Sequence, residues 1–252
     1  MTSCIRTCLA LCLLVVNLSS ADALAEEATI AVASNFKPAM AEIERSFEEQ
    51  TGHELSVSFG STGKIFSQIQ FGAPFDVFLS ADTQHTDRAI EDGLAIEETA
   101  FVYAIGSLVL WSPSETDISL PTLSSPSIRK LAMANPASAP YGVAAQETLA
   151  YFGMADTITL KRVLGESIGQ AFAFVHTGNA DAGLVALSQV LQLPDDQNGF
   201  YDAVPQEAYR PIEQSAVLLN RGDGNQAAEA FLEYLDSDSA QAIIRQYGYS
   251  TP

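Results

Sequence analysis

Four short segments place small polar residues, or bare backbone N–H groups, where a strand or loop turns into a helix. In Ala31-Val32-Ala33-Ser34-Asn35-Phe36, Ser34 and Asn35 are favoured capping residues. Phe36, Met40, Ile43 and Phe47 then recur at helical spacing. Gly60-Ser61-Thr62-Gly63-Lys64 stands in the same relation to Ile65, Phe66 and Ile69. In Ala139-Pro140-Tyr141-Gly142 the proline has no N–H, so the first free donors belong to Tyr141 and Gly142. In Ser167-Ile168-Gly169-Gln170 the serine suits the cap position and Ile168 offers its N–H in the first turn. A helix N-terminus has unpaired N–H groups and a partial positive charge, so each junction is a seat for an anion. Alone, each is an ordinary cap; it is the repetition that points to a shared site.

Other chemistries lack their residues. Gly60–Lys64 fails as a phosphate-cradling loop, with Ser58 in place of its first glycine and Ile65 in place of its hydroxyl residue. His53, His85 and His176 stand in no catalytic setting, and no G-x-S-x-G elbow occurs. His53 and His85 are expected on the solvated surface and His176 near a helix end. Asp195-Asp196 lacks the spaced oxygen ligands of a calcium loop. The chain is expected not to be an enzyme and to need no cofactor or metal centre.

The elements that must position the junctions alternate strand and helix from Thr29 onward, which implies an α/β fold with largely parallel sheets. Thr29–Val32, Glu54–Phe59, Phe75–Ser80, Lys130–Ala134, Leu184–Leu187 and Ser215–Leu219 read as strands. Tyr103–Trp111 is a long apolar run broken by Gly106, expected to cross from one lobe into a second.

Ahead of these lies a leader. Arg6 is its basic residue, Cys8–Leu18 its apolar core and Ala23-Leu24-Ala25 its cleavage signal, so residues 1–25 are expected to be removed on export. A lipid anchor on Cys12 is disfavoured by Leu11, which is larger than such a site takes. Cys4, Cys8 and Cys12 are the only cysteines, so the exported chain can form no disulfide or thiolate site. The net charge of −19 argues against nucleic acid and anionic membranes. It also opposes an approaching anion, so an anion site here must work through short-range dipoles and hydrogen bonds. Lys37 and Lys64, just past the first two junctions, are candidates for steering or for plain solubility.

Ala33-Ser34-Asn35-Phe36, Phe59-Gly60-Ser61-Thr62-Gly63, Gly72-Ala73-Pro74, Ser80-Ala81-Asp82, Tyr103-Ala104-Ile105-Gly106, Asn135-Pro136, Ala139-Pro140-Tyr141-Gly142, Ser167-Ile168-Gly169-Gln170 and Tyr247-Gly248-Tyr249 occur in this order. Together they resemble the periplasmic molybdate-binding proteins of ABC importers, over essentially all of Thr29–Pro252. The resemblance implies a type II periplasmic-binding-protein fold with a ligand cleft between lobes joined by crossover strands. It divides the chain into lobe I (residues 26–106 and 214–252) and lobe II (residues 107–213). It implies a periplasmic monomer that binds molybdate or tungstate and hands it to a membrane permease, with no nucleic-acid partner. Carried over by position, the ion's ligands are Ser34 and Asn35, Ser61 and Thr62, and the N–H groups of Tyr141 and Ile168. Some relatives add a strand tyrosine near Val185-Ala186; this chain has none there, and Asn35 is expected to take its place. The alternative is another tetrahedral oxyanion, sulfate or phosphate.

Overall fold

The computed structural model describes residues 25–114 and 118–252. The leader's cysteines and the Cys12 alternative lie outside the described residues.

The strands are β1 (Glu27–Ala33), β2 (Glu54–Gly60), β3 (Val77–Ser80), β4 (Phe101–Gly106), β5 (Leu108–Ser112), β6 (Leu131–Ala134), β7 (Arg162–Gly165), β8 (Ala182–Ala186), β9 (Phe200–Ala203) and β10 (Ile212–Leu218). The α-helices are α1 (Lys37–Thr51), α2 (Thr62–Gln70), α3 (Thr83–Glu91), α4 (Pro140–Tyr151), α5 (Ala155–Thr159), α6 (Ile168–His176), α7 (Leu187–Leu191), α8 (Gln226–Leu235) and α9 (Asp238–Gln246). The strands form two five-stranded sheets, ordered β2-β1-β3-β10-β4 and β7-β6-β8-β5-β9.

β1 pairs in parallel with β2 and β3, and β6 with β7 and β8. In each sheet one strand runs against the rest: β10 in the first and β5 in the second. Each is the strand by which the chain enters that lobe, so the sheets are mixed rather than parallel throughout. The expected crossing strand is two strands, because β4 ends at Gly106 and β5 begins at Leu108 in the other sheet. The return enters the first sheet at Ile212, which pairs with Gly106. The two crossings thus lie side by side.

The apolar runs fill the interior as their periodicity requires. Phe36, Met40, Ile43 and Phe47 of the first helical stretch are fully buried against Ile30, Val32 and Leu79. Trp111 is buried in the second lobe, stacked on Phe172 at 4.9 Å, with its indole N–H donating to the Asn198 carbonyl at 2.6 Å. His176 ends α6, stacked on Phe172 at 5.6 Å. His53 departs from expectation. It is buried, its Nδ1 accepting from the Glu26 N–H at 3.1 Å, because the turn before β2 folds it under Phe47. Strand β9 and helix α5 give no clear sequence signal; both are short, and β9 is an edge with exposed Phe200 and Tyr201.

Candidate functional site

Ser34, Asn35, Ser61, Thr62, Tyr141 and Ile168 all border one small hollow between the lobes. Ala33, Gly60, Ala81, Ala139 and Pro140 complete its wall. None of the described residues bordering it is a carboxylate, lysine, arginine or histidine.

The junctions build this wall differently from ordinary caps. Ser34-Asn35-Phe36 is a short 3-10 turn, and neither Ser34 nor Asn35 caps α1 through its side chain. Ser34 Oγ instead accepts from the Gly169 N–H of the opposite lobe at 3.2 Å, which leaves its own proton to donate. Ser61 stands at the cap position of α2, yet its hydroxyl makes no capping bond. Ser61 is 4% exposed, and its Oγ is buried without a hydrogen-bond partner. Thr62 Oγ1 accepts from the Ala81 N–H at 3.0 Å, so its hydroxyl proton also remains free to donate.

On the other lobe the donors are backbone. The first turn of α4 commits the Gly142 and Val143 N–H groups to the Ala139 carbonyl, at 2.8 and 3.2 Å. That leaves Tyr141 as the uncommitted donor; Gly142, which the sequence also offered as a free donor, is taken up by the turn. In α6, Ser167 Oγ caps the Gln170 N–H at 3.2 Å and the Gly169 N–H goes to Ser34, which leaves the N–H of Ile168. These donors sit at the N-termini of helices long enough for their dipoles to matter.

Asn35 behaves differently from the expectation. Its side-chain amide donates to Gln214 Oε1 at 2.7 Å and to the Tyr249 hydroxyl at 3.0 Å, so both its protons are committed. It cannot stand in for a missing tyrosine through that amide; its backbone N–H, at the start of the 3-10 turn, is a helix-end donor of the kind that lacks an intrahelical partner. Its carbonyl accepts from Tyr249 and from Ser188 of the opposite lobe, both at 2.9 Å. Gln214 and Ser188 were not singled out in the sequence, and Tyr249 entered only as part of the Tyr247-Gly248-Tyr249 block of the resemblance. They form a buried polar cluster behind the site with Tyr103, whose hydroxyl donates to Gln214 Oε1 at 3.2 Å. Burial holds the Tyr103 and Tyr141 phenols well above their ordinary range and pushes Tyr249 up to about 12.

The lobes are closed on each other around the hollow. Besides the Ser34 and Asn35 bonds, the Gly63 N–H donates to the Ser138 carbonyl at 3.0 Å, and Lys64 forms an ion pair with Glu166. Lys64 is therefore a rim contact between lobes, worth little in energy because both partners are more than half exposed. Lys37 lies over the Phe59 ring, 5.6 Å from its centre.

Comparison with known proteins is consistent with this arrangement. Residues 28–250 match a family model described as bacterial extracellular solute-binding protein. The chain is 45% identical, over 91% of its length and 90% of the relative's, to the molybdate-binding protein ModA of Rhodobacter capsulatus. It is 44% identical to the protein of the same name from Azotobacter vinelandii, over 89% of this chain and 90% of that one. Among solved structures, the periplasmic molybdate-binding protein of Azotobacter vinelandii superposes with a TM-score of 0.85. That match is at 36% identity and covers 89% of this chain and 99% of the other.

Proposed function

The chain belongs to the bacterial extracellular solute-binding protein family, and from that premise we propose that it captures molybdate, and also tungstate, for an ABC importer. The observation that carries this reading is the buried, partnerless Ser61 hydroxyl in a wall of neutral donors. Such a group destabilises the protein unless an acceptor arrives, and a dianion supplies acceptors only. The relatives named for molybdate support the choice of ion.

The ligands we assign are the hydroxyls of Ser34, Ser61 and Thr62 and the N–H groups of Asn35, Tyr141 and Ile168. Each bond to the ion contributes roughly 1.5–3 kcal/mol net. Six such bonds, less the cost of desolvating a dianion, are compatible with affinity tighter than micromolar. Hydrogen phosphate brings an O–H that is best met by a carboxylate, and among the described residues this wall offers it none, only neutral oxygens such as those of its hydroxyls. Sulfate has no proton either and is discriminated by size, since closed lobes hold their donors at one radius. Lobe I (residues 26–106 and 214–252) and lobe II (residues 107–213) are the bodies that close, and the closed shape is what the permease reads. The protein acts as a periplasmic monomer and catalyses nothing.

Two outcomes follow from neutral donors in an acidic protein. Molybdate affinity is expected to stay within about twofold between pH 6 and 9. The buried phenols near the site are held above their ordinary range and remain neutral throughout that window. Calorimetry across that range tests the reading; affinity climbing steeply toward acid pH would require a protonating cation in the site and would contradict it. Separately, the net charge of −19 repels a dianion at long range. Stopped-flow association should therefore speed up with added salt, as the Debye length shrinks to about 10 Å at 0.1 M. Slowing with salt would mean that Lys37 and Lys64 dominate the approach.

A further inference from the structure

Gly63 and Gly169 occupy matching places on the two lobes. Each is the second residue of a helix, α2 or α6, whose first residue, Thr62 or Ile168, is assigned to the ion. A backbone N–H at that position has no partner within its own helix. Both find one across the gap between the lobes. The Gly63 N–H donates to the Ser138 carbonyl at 3.0 Å, and the Gly169 N–H donates to Ser34 Oγ at 3.2 Å. The arrangement is reciprocal, since each lobe supplies one glycine and one acceptor.

Neither glycine has a positive φ, so the backbone at both positions would accept an L side chain. What glycine permits here is close approach. A methyl group built at Gly63 would sit 3.1 Å from the Ser138 carbonyl oxygen and 3.3 Å from its Cα. One built at Gly169 would sit 3.3 Å from Ser34 Cβ. In each case something must give by a few tenths of an ångström. Ser138 is poorly placed to give. Its N–H donates to the Asn135 carbonyl at 3.1 Å and its Oγ to the Glu166 carbonyl at 3.2 Å, which ties it to the loops that lead into α4 and α6. The remaining way to relieve the contact is for the lobes to stop that much further apart.

We propose that Gly63 and Gly169 are the stops that set the closed spacing of the lobes, and through it the ion radius that the site selects. This rests on the oxyanion-capture reading, in which Thr62 donates from one lobe and the Tyr141 and Ile168 N–H groups from the other. Each stop adjoins one of those donors in the chain, so the spacing of the stops is the spacing of the donors. Sulfate, chromate and molybdate share shape and charge as dianions and grow in that order by tenths of an ångström. That is the scale of the displacement a Cβ would force. An ion that matches the donors sits at its energy minimum, where a small widening costs little. A smaller ion sits on the slope, where the same widening stretches bonds that are already long.

The test is calorimetric titration of the parent, Gly63→Ala and Gly169→Ala with molybdate, chromate and sulfate at pH 8, where all three are dianions. Expected for Gly63→Ala is molybdate binding weaker by about threefold, with chromate and sulfate weaker by at least about tenfold. The preference for molybdate over chromate therefore widens, and Gly169→Ala should widen it too. Alanine favours helix more than glycine does, so the empty variants should melt no lower than the parent. A loss common to all three ions, with or without a lower melting temperature, would mean that the glycines serve packing alone and would overturn the proposal while leaving molybdate capture intact. Unchanged affinities would overturn it equally. If the parent binds none of the three ions, the capture reading fails and takes this proposal with it.

Discussion

Asn35→Asp is expected to reduce molybdate affinity by a factor on the order of a thousand or more at neutral pH. The substitution is close to isosteric, so the shape of the site survives and the change is electrostatic. The new oxygen would face Gln214 Oε1, now 2.7 Å from the amide nitrogen, and acceptor would meet acceptor. It would also put a negative charge into a wall that has none among the described residues. At an effective dielectric of about 20, a unit charge within about 5 Å of a dianion costs several kcal/mol. The carboxyl can escape by taking a proton, and burial beside a dianion raises its pKa. The protonated form is the one that binds, so the variant's affinity should rise as pH falls, in contrast to the flat profile of the parent. Calorimetry of the variant at pH 5 and pH 8 reads both effects. Near-parental affinity at pH 8 would mean that the side chain at position 35 lies too far from the ion for its charge to matter.

Thr62→Val is the second large effect, expected to weaken binding about ten- to a hundredfold. Valine matches threonine in shape, so the cavity is kept and only the hydroxyl is lost. That hydroxyl accepts from the Ala81 N–H at 3.0 Å and gives its own proton to the ion. Its removal leaves one ion oxygen unpaired and the Ala81 N–H without a partner. Thr62→Ser, which restores both bonds, should recover affinity to within about threefold. A silent Thr62→Val would mean that the backbone of α2, not this side chain, holds the ion.

The two effects differ in how far the sequence announced them. The four junctions were legible because capping, proline and glycine signals are local: Pro140 removes one donor and exposes the next whatever the rest of the chain does. That logic located Tyr141 and Ile168 and marked Ser61 and Thr62. It misread Ser34 and Asn35 as caps, because their partners are remote. Asn35 reaches Gln214 across 179 residues of sequence and Tyr249 across 214. Nothing in a window around Gln214 or Tyr249 signals a buried polar cluster, and a lone glutamine in a strand reads as a surface position. The same limit explains His53, whose burial depends on a turn folding under Phe47. Alternation of strand and helix gave the fold class, but sheet order depends on long-range pairing. The reversal of β5 and β10 emerged only once the crossings at Gly106 and Ile212 were seen to lie side by side.

The central claim is that donor-only chemistry in a closed cleft selects a large, fully deprotonated oxyanion. Its most direct test is isothermal titration calorimetry of the exported chain, freed of bound ion, with molybdate, tungstate, sulfate and phosphate in turn at pH 7.5. The expected result is one site per chain with submicromolar affinity for molybdate and tungstate, and sulfate and phosphate weaker by at least about a hundredfold. Sulfate or phosphate binding as tightly as molybdate would contradict the claim.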